Sequence, residues 1–593
     1  MCGIVGYIGE KEAMPILLEG LEKLEYRGYD SAGISISGKI IKAEGHLKKL
    51  KEKIADEGYM SGNIGIGHTR WATHGEASEL NSHPHVSNDK TVIAVHNGII
   101  ENYQELKEML MQHGYKFYSQ TDTEVIVNLM EYFYNEEGKE PMEALMKTMR
   151  EIRGSYALVV MLREYPEELF ACCKDSPMII GQNTDECFVA SDISALLKHT
   201  RNVYYMDDFE IAYIKKEQVT FYNLKKEIVE KEITKVTWEE ECVKKEGFEH
   251  YMLKEIFEQP TTILNTIQEM EKVQKDTMLS DVNRIYIAAC GSAYHVGVTL
   301  KYVIESLAEL PVNVEVASEF RYRKIRKEKG DLVVVISQSG ETADSIAALR
   351  KSKSLGITTL GIVNVVGSTI AREADYVLYT VAGPEISVAT TKAYSAQLIV
   401  GYWIALKLAL LNNKITKDIY AEMQKELCEL PKKINTILQG KEKIQSLAKK
   451  FIHAKDAFFV GRGMDFGTCL EGSLKMKEIS YIHSEAYPAG ELKHGTISLI
   501  EEGTLVVGVI IQEELKEKTL SNLMEVKSRG AYLAVVSNEE VNSDFTFCIP
   551  ETNPYFTTSL AVIPLQLLGY YLSVEKGLDV DKPRNLAKSV TVE

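Results

Sequence analysis

The nine cysteines of this 593-residue chain never fall into a CxxC pair or a zinc-ligand spacing. Scattered at Cys2, Cys172, Cys173, Cys187, Cys242, Cys290, Cys428, Cys469 and Cys548, they suggest neither a disulfide framework nor a metal site, and a reducing cytoplasm fits them better. Positive charge is also short. A formal net charge of -17 disfavours nucleic acid as the main partner, and a small anionic ligand would depend on local donors against the global field. No long apolar run stands out, so no membrane span is expected. The N-terminal MCGIVGYIGEKEA has no basic segment followed by an apolar core, so no signal peptide is expected either. With 45% hydrophobic and 26% charged residues, the composition is that of a soluble globular protein, too long for one core. Three or so domains are the natural expectation.

From Met1 to about Lys235, short β-type segments crowd together: CGIVGYI, AGISIS, IGIGHTRW, TVIAVHNG, YALVVML, MIIGQ and EIAYI. Many strands with few helices predict an antiparallel, layered α+β domain. The charged stretch from about Lys225 to Gly247 reads as a solvated linker or edge strand. Residues 251–277 read as helix, with an interruption at Glu258, Gln259 and Pro260. Beyond Asp281, RIYIAACGSAYHVG, GDLVVVISQSGETADS and ITTLGIVNVVGST alternate strand and helix, which predicts a parallel sheet covered on both faces. The order restarts with DAFFVGRGMDFGTCLEGSLKMKE and GTLVVGVIIQEE, a weak internal duplication. GRGMDFG is GxGxxxG and gives little support for a dinucleotide cofactor. The tail after Gly577 has little periodicity, as expected of a segment disordered or docked on a neighbour.

SQSGET, Ser337 to Thr342, follows the apolar run LVVVI and precedes a helix-forming stretch. A strand, a polar turn and a helix N-terminus make an anion site, because free N–H groups and the helix dipole point at the turn. Ser337, Gln338, Ser339 and Thr342 can surround a phosphate. The turn holds no lysine or arginine and is not GxxxxGK[ST], so a sugar phosphate suits it better than a triphosphate. The second copy lacks the turn, so one phosphate site per chain is expected.

Cys2 would carry both a thiol and a free α-amine once Met1 is removed. An amine of pKa roughly 7.7–8.0 can then accept the thiol proton, so nucleophile and base come from one residue. HTRWATHG supplies Arg70 for a carboxylate, with Thr73 and His74. HNGIIENY puts Asn97 and Gly98 at a strand end, where an amide side chain and a backbone N–H can form an oxyanion hole. Asp122 in TDTEV can receive an ammonium group or cap a helix. Together they describe a site for a free amino acid with a side-chain carbonyl.

MCGIVGYIG, YRGYDSAG, HTRWATHGE, HNGIIENY and SQTDTE resemble the glutaminase domain of the N-terminal-nucleophile amidotransferases. CGSAYH, SQSGET, EISVATTKAY, LKMKEISYIHSEAYPAGELKHG and KPRNLAKSVTVE resemble the sugar isomerase (SIS) domains of one branch, the isomerizing glutamine–fructose-6-phosphate aminotransferases. The resemblance spans essentially the whole chain, with motifs of both halves in matching order. It implies a layered αββα glutaminase domain over 2–225, a linker and lead-in helix over 226–280, and two α/β sugar isomerase domains with parallel sheets over 281–425 and 450–577. A tail over 578–593 would cover the sugar site. The implied activity is glutamine-dependent conversion of fructose 6-phosphate to glucosamine 6-phosphate, the start of amino-sugar synthesis, with no cofactor and no metal.

By that resemblance Cys2 attacks the glutamine carboxamide, Asn97 and Gly98 hold the oxyanion, and Arg70, Thr73, His74 and Asp122 bind the glutamine backbone groups. Trp71 resembles the gate of an ammonia channel. Glu478 would move the proton between sugar carbons, a step that needs a carboxylate or similar base. Lys475 would lie at the sugar, although Lys475 and Glu478, three apart on one helix face, otherwise read as a surface ion pair. His494 would open the ring from a partner subunit of a homodimer, Lys588 would form a Schiff base, and Ser292 and Thr390 would help bind substrate. CGSA and VATT depart from the CGTS and VAST common in the family, and Ala293 removes one hydroxyl. A phosphoribosyl-pyrophosphate loop or an SGGxDS nucleotide loop would mark rival amidotransferases, and neither is present. A sugar-phosphate-sensing regulator would need none of Cys2, Arg70, Asp122, Glu478, His494 and Lys588.

Overall fold

The structure, a computed structural model, describes residues 2–591 except 73, 137, 139, 237–244, 274 and 275. It divides into two compact units. One comprises Met1–Cys242 with Ala587–Glu593, and the other Val243–Leu586.

In the first unit the alternation of side chains along each strand builds the layers. Along Gly3–Ile8, Ile4 and Ile8 point into a core shared between two sheets. Val5 and Tyr7 point the other way, into a core beneath Ala13–Leu24 and Leu47–Glu57. This period of two is what a strand buried on both faces requires. One sheet has eight strands, with Gly3–Ile8 and Ile64–Arg70 adjacent at its middle. The other has seven, in which Val92–Ile100 pairs with Gly154–Leu162. Helices Thr123–Glu136 and Pro141–Glu151 cover the second sheet. The result is αββα, antiparallel within the described residues. The charged stretch after Lys225 contributes two-residue edge strands, Ile228–Val229 and Thr234–Lys235, one to each sheet; its 237–244 portion lies outside the described residues.

The second unit holds two five-stranded parallel sheets with the same strand order. The first runs Val312–Val316, Arg284–Ala289, Asp331–Ser337, Thr358–Val363, Tyr376–Tyr379. The second runs His483–Pro488, Asp456–Gly461, Leu505–Ile510, Tyr532–Ser537, Phe545–Cys548. The duplication suggested by the sequence is therefore one of topology. Both sheets share a core with the helices Tyr251–Lys272, Lys392–Leu411 and Thr558–Glu575.

Two expectations are corrected here. Helix Tyr251–Lys272 is not interrupted at Pro260 but runs through it. Proline removes the N–H that would reach the Ile256 carbonyl, and the Gln259 side chain donates to that carbonyl instead, at 3.1 Å. The helix starts on Asp581, whose carboxylate accepts the N–H groups of Tyr251 and Met252 at 2.9 and 2.8 Å, favourable at the positive end of the helix dipole. Second, Lys392–Leu411 and Pro554–Glu575 are long and apolar enough to cross a membrane, where the sequence suggested no such run. Their apolar windows are 83% and 94% buried inside the protein, the condition of a core helix that is hydrophobic all round.

Candidate active sites

In the first unit, Cys2 lies at the head of the strand Gly3–Ile8. The Trp71 N–H donates to Cys2 Sγ at 3.3 Å, and Asn97 Nδ2 donates to the Cys2 carbonyl at 3.0 Å. Trp71 follows the end of Ile64–Arg70 and Asn97 lies in Val92–Ile100, so neighbouring strands of both sheets deliver these groups to one place. Burial pushes the Cys2 thiol up; the Trp71 hydrogen bond and Arg70 act against it without reversing it. The residue is therefore held as a thiol, and a base must deprotonate it.

Gly98 takes φ +137, and a Cβ there would stand 2.0 Å from the Ser155 carbonyl oxygen, so only glycine fits. Buried Arg70 donates to the carbonyls of His74, Gly75 and Glu76 at 2.5, 3.0 and 3.2 Å. Three of its five donors thus clamp the following loop. Asp122 does not act as a plain helix cap: its carboxylate accepts the Ile100 N–H at 2.8 Å, next to the strand that carries Asn97 and Gly98. The His74 ring meets Tyr103 edge-on at 5.3 Å. Thr73 lies outside the described residues. Sequence reasoning missed Asp30, which accepts the Ala72 N–H at 2.8 Å; it lies in the quoted motif YRGYDSAG, but no spacing singles it out.

In the second unit, Ser337 ends its strand at the crevice where the connections from Arg284–Ala289 and Asp331–Ser337 part, the usual ligand position in an open parallel sheet. The Ser337 hydroxyl accepts the Gly340 N–H at 3.1 Å and meets Thr342 Oγ1 at 3.0 Å. Ser339 Oγ accepts the Glu341 N–H at 3.2 Å. Gly340 has φ +67, and a Cβ would stand 2.0 Å from Ser368 Oγ. Thr342 is the N-cap of Ala343–Ser354 but makes no side-chain capping bond. The helix start is thus left to face the turn.

The second unit also holds a buried ionic cluster. Lys475 and Glu478 are not the surface pair that blind spacing suggests: Lys475 is fully buried, with its ammonium 2.6 Å from Glu478 and 3.4 Å from Glu471. Burial works against the ammonium, but the two carboxylates outweigh it and hold its pKa above that of an ordinary lysine. Glu471 accepts from Ser292 Oγ at 2.9 Å and pairs with His295 Nδ1 at 2.8 Å; Lys475 also donates to Ser292 at 3.3 Å. Ser292 thus links the first sheet's leading helix, Gly291–Ala308, to Met464–Ser480 of the second. Glu471 and His295 were missed. Glu471 stands four residues before Lys475, a helical spacing that could have revealed it.

The half-buried Thr390 lies in a loop fixed by Glu385, which accepts the N–H groups of Thr391 and Ala393, both at 3.0 Å. His494 is exposed on the short turn Glu491–His494. Lys588 belongs to the first unit, so the cluster of Lys475, Glu471 and Glu478 in the second is assembled without it. The tail's earlier part does dock there: the Arg584 N–H donates to Tyr481 Oη at 2.7 Å and its guanidinium lies over that ring.

The second sheet shows what replaces the serine-threonine turn. Counting from the paired residues Ile285↔Leu332 and Ala457↔Leu505, Asp465 stands where Ala293 stands, and Ile511 and Gln512 where Gln338 and Ser339 stand. Asp465 Oδ2 accepts the N–H groups of Ile511 and Gln512 at 3.0 and 3.2 Å. A carboxylate of the chain itself fills the place an anion would take.

Comparisons agree with this architecture. Residues 68–198 match the glutamine amidotransferase domain family, and 278–407 and 450–576 each match the SIS domain family. The chain is 53% identical over 612 residues to a glutamine–fructose-6-phosphate aminotransferase [isomerizing] of Caldanaerobacter subterraneus subsp. tengcongensis, and 51% identical to one of Clostridium tetani, with all of each chain covered. A solved C-terminal domain of glucosamine-fructose-6-phosphate aminotransferase from Francisella tularensis superposes with a TM-score of 0.56 at 39% identity, covering 57% of this chain and all of that one. A cysteine-headed αββα unit is followed here by a doubled parallel-sheet unit with a serine-threonine turn, the relatives match over the full length of both chains, and the chain belongs to the family of isomerizing glutamine–fructose-6-phosphate aminotransferases.

Proposed function

We propose that the protein converts D-fructose 6-phosphate and L-glutamine to D-glucosamine 6-phosphate and glutamate. The observation that carries this is the gathering of Asn97 Nδ2 and the Trp71 N–H on Cys2, in a chain whose other unit holds the SQSGET turn and a buried Lys475 hydrogen-bonded to Ser292.

With Met1 removed, the amine of Cys2 takes the thiol proton and Sγ attacks the glutamine carboxamide. The Asn97 amide and the Gly98 N–H stabilise the oxyanion. Arg70 keeps donors for the substrate carboxylate, Asp122 receives its ammonium with the oxygen not bonded to Ile100, and Thr73 and His74 complete the pocket. Trp71 gates passage of the released ammonia.

In the other unit Ser337, Gln338, Ser339 and Thr342 hold the phosphate. Ser292, Thr390 and Lys475 line the sugar; Lys475 stays protonated and so serves as a fixed cation. Glu478 moves the proton between C1 and C2. Lys588 forms the Schiff base with the open ketose, and exposed His494 opens the ring in the partner subunit of a homodimer. The enzyme works in the cytoplasm without a cofactor.

The test is direct: purified protein, glutamine and fructose 6-phosphate should yield glucosamine 6-phosphate and glutamate in equal amounts. Glutamate without amino sugar, or neither, would refute the assignment.

A further inference from the structure

Behind the Cys2 site lies a set of four buried histidines, His68, His83, His85 and His96, to which the steps above give no task. Of these, His68 touches Asn97. Its Nε2 lies 3.1 Å from Asn97 Oδ1 and 3.0 Å from the His96 carbonyl. Both partners are acceptors, so the proton must reside on Nε2 and be shared between them. Burial keeps the ring neutral, with a pKa down at about 3, so Nδ1 carries no proton; it is buried and without a hydrogen-bond partner among the described residues.

This fixes the carboxamide of Asn97. With Oδ1 on His68, Nδ2 faces the Cys2 carbonyl at 3.0 Å. Turning the amide over would set Oδ1 against that carbonyl and Nδ2 against the His68 N–H, two mismatched pairs at once. The His68 ring is itself held: His83 stacks on it at 4.1 Å with planes 19° apart. His83 Nδ1 accepts the His96 N–H at 3.2 Å, which ties the stack to the strand of Asn97.

We propose that His68 is the positioning residue that aims the Asn97 amide N–H at the oxyanion formed on the glutamine carboxamide. The inference rests on the reading of Asn97 as an oxyanion donor. It acts on the transition state through Asn97 alone and leaves substrate binding untouched.

The test uses the full-length protein and measures glutamine hydrolysis. His68→Leu removes the donor; kcat should fall about 10-fold or more while KM for glutamine stays within about 2-fold, a fraction of the roughly 10²–10³ lost when a whole oxyanion donor is removed. His68→Gln offers an amide N–H near the Nε2 position and should recover most of the loss. In an Asn97→Ala background, His68→Leu should cost nothing further. If His68→Leu does not fold, His68→Asn, whose amide is too short to reach Asn97, takes its place and should be slower than His68→Gln by the same margin. Unchanged kcat, a loss confined to KM, no recovery with glutamine, or losses that multiply in the double variant would each overturn the role of His68. Full activity of Asn97→Ala alone would instead overturn the oxyanion assignment beneath it.

Discussion

Cys2, the proposed nucleophile, has surroundings that resist its ionisation. Burial raises the thiol above its ordinary pKa, so the proposed attack depends on an adjacent base, for which the α-amine freed by removal of Met1 is the proposed group. Replacing Cys2 by serine raises the demand on that base further. Cys2→Ser should abolish most glutamine hydrolysis, toward the roughly 10⁶-fold loss seen when a nucleophile is removed, while binding of fructose 6-phosphate to the second unit is unaffected. Near-normal glutamate release would show that another residue attacks. Legibility at this scale followed sequence distance. Cys2, Arg70, Asn97 and Gly98 stand in short motifs whose residue types suggest the roles proposed for them. The pairing of His295 with Glu471 joins residues 176 apart, and neither residue type is unusual on a helix face. Nothing local distinguishes a buried charge from a solvated one, which is why Lys475 and Glu478 read as a surface pair.

The two parallel sheets share one topology but differ at the turn after the central strand, the turn proposed to hold the phosphate in the first sheet. In the first sheet the turn after the central strand is lined by Ser337, Ser339 and Thr342, and no side chain caps the helix that follows. Ser339→Ala combined with Thr342→Ala should weaken fructose 6-phosphate binding by roughly 1.5–3 kcal/mol for each hydrogen bond lost to a charged phosphate. Titration calorimetry would read this, and unchanged affinity would remove the turn from the site. In the second sheet Asp465 accepts the corresponding N–H groups. The strand–turn–helix pattern announced both turns in the sequence, and the loss of hydroxyls in the second was visible too; that an aspartate 46 residues earlier, at the start of Met464–Ser480, would reach into the gap was not. Burial raises Asp465 to about 7, so the folded state holds this proton more tightly than the unfolded chain. The associated stability is full below about pH 4 and is lost as pH rises through 7. Asp465→Asn keeps a carbonyl oxygen for both N–H groups without the charge. It should raise the unfolding temperature of the protein at pH 8 and change it little at pH 4, by roughly 2–4 °C for each kcal/mol recovered. An equal gain at both pH values would show that ionisation is not involved.

Over the whole molecule the C-terminal tail is divided between the two units. Its first part is anchored in the second unit, where Asp581 caps the helix Tyr251–Lys272 and the Val388 N–H donates to the Asp581 carbonyl at 3.0 Å. From Ala587 onward the chain belongs to the first unit. Tail docking of this kind escapes sequence patterning, because its partners lie hundreds of residues away and its own residues show no period. Lys588, half-buried in this last segment, carries the proposal most exposed to failure. A lysine in water has a pKa near 10.4 and is almost wholly protonated at neutral pH, a poor nucleophile. To attack C2 of the open ketose it must lose its proton, which desolvation or a nearby cation promotes. A chain ending at Leu586 keeps the Asp581 cap and all of Cys2, Arg70, Asn97 and Asp122. It should therefore still hydrolyse glutamine but neither isomerise fructose 6-phosphate nor form glucosamine 6-phosphate. With the full chain, borohydride added in the presence of fructose 6-phosphate should leave a reduced sugar adduct on Lys588, located by peptide mass spectrometry. An adduct on Lys475 instead, or full synthesis by the shortened chain, would place the Schiff base elsewhere and reduce the tail to a structural strap.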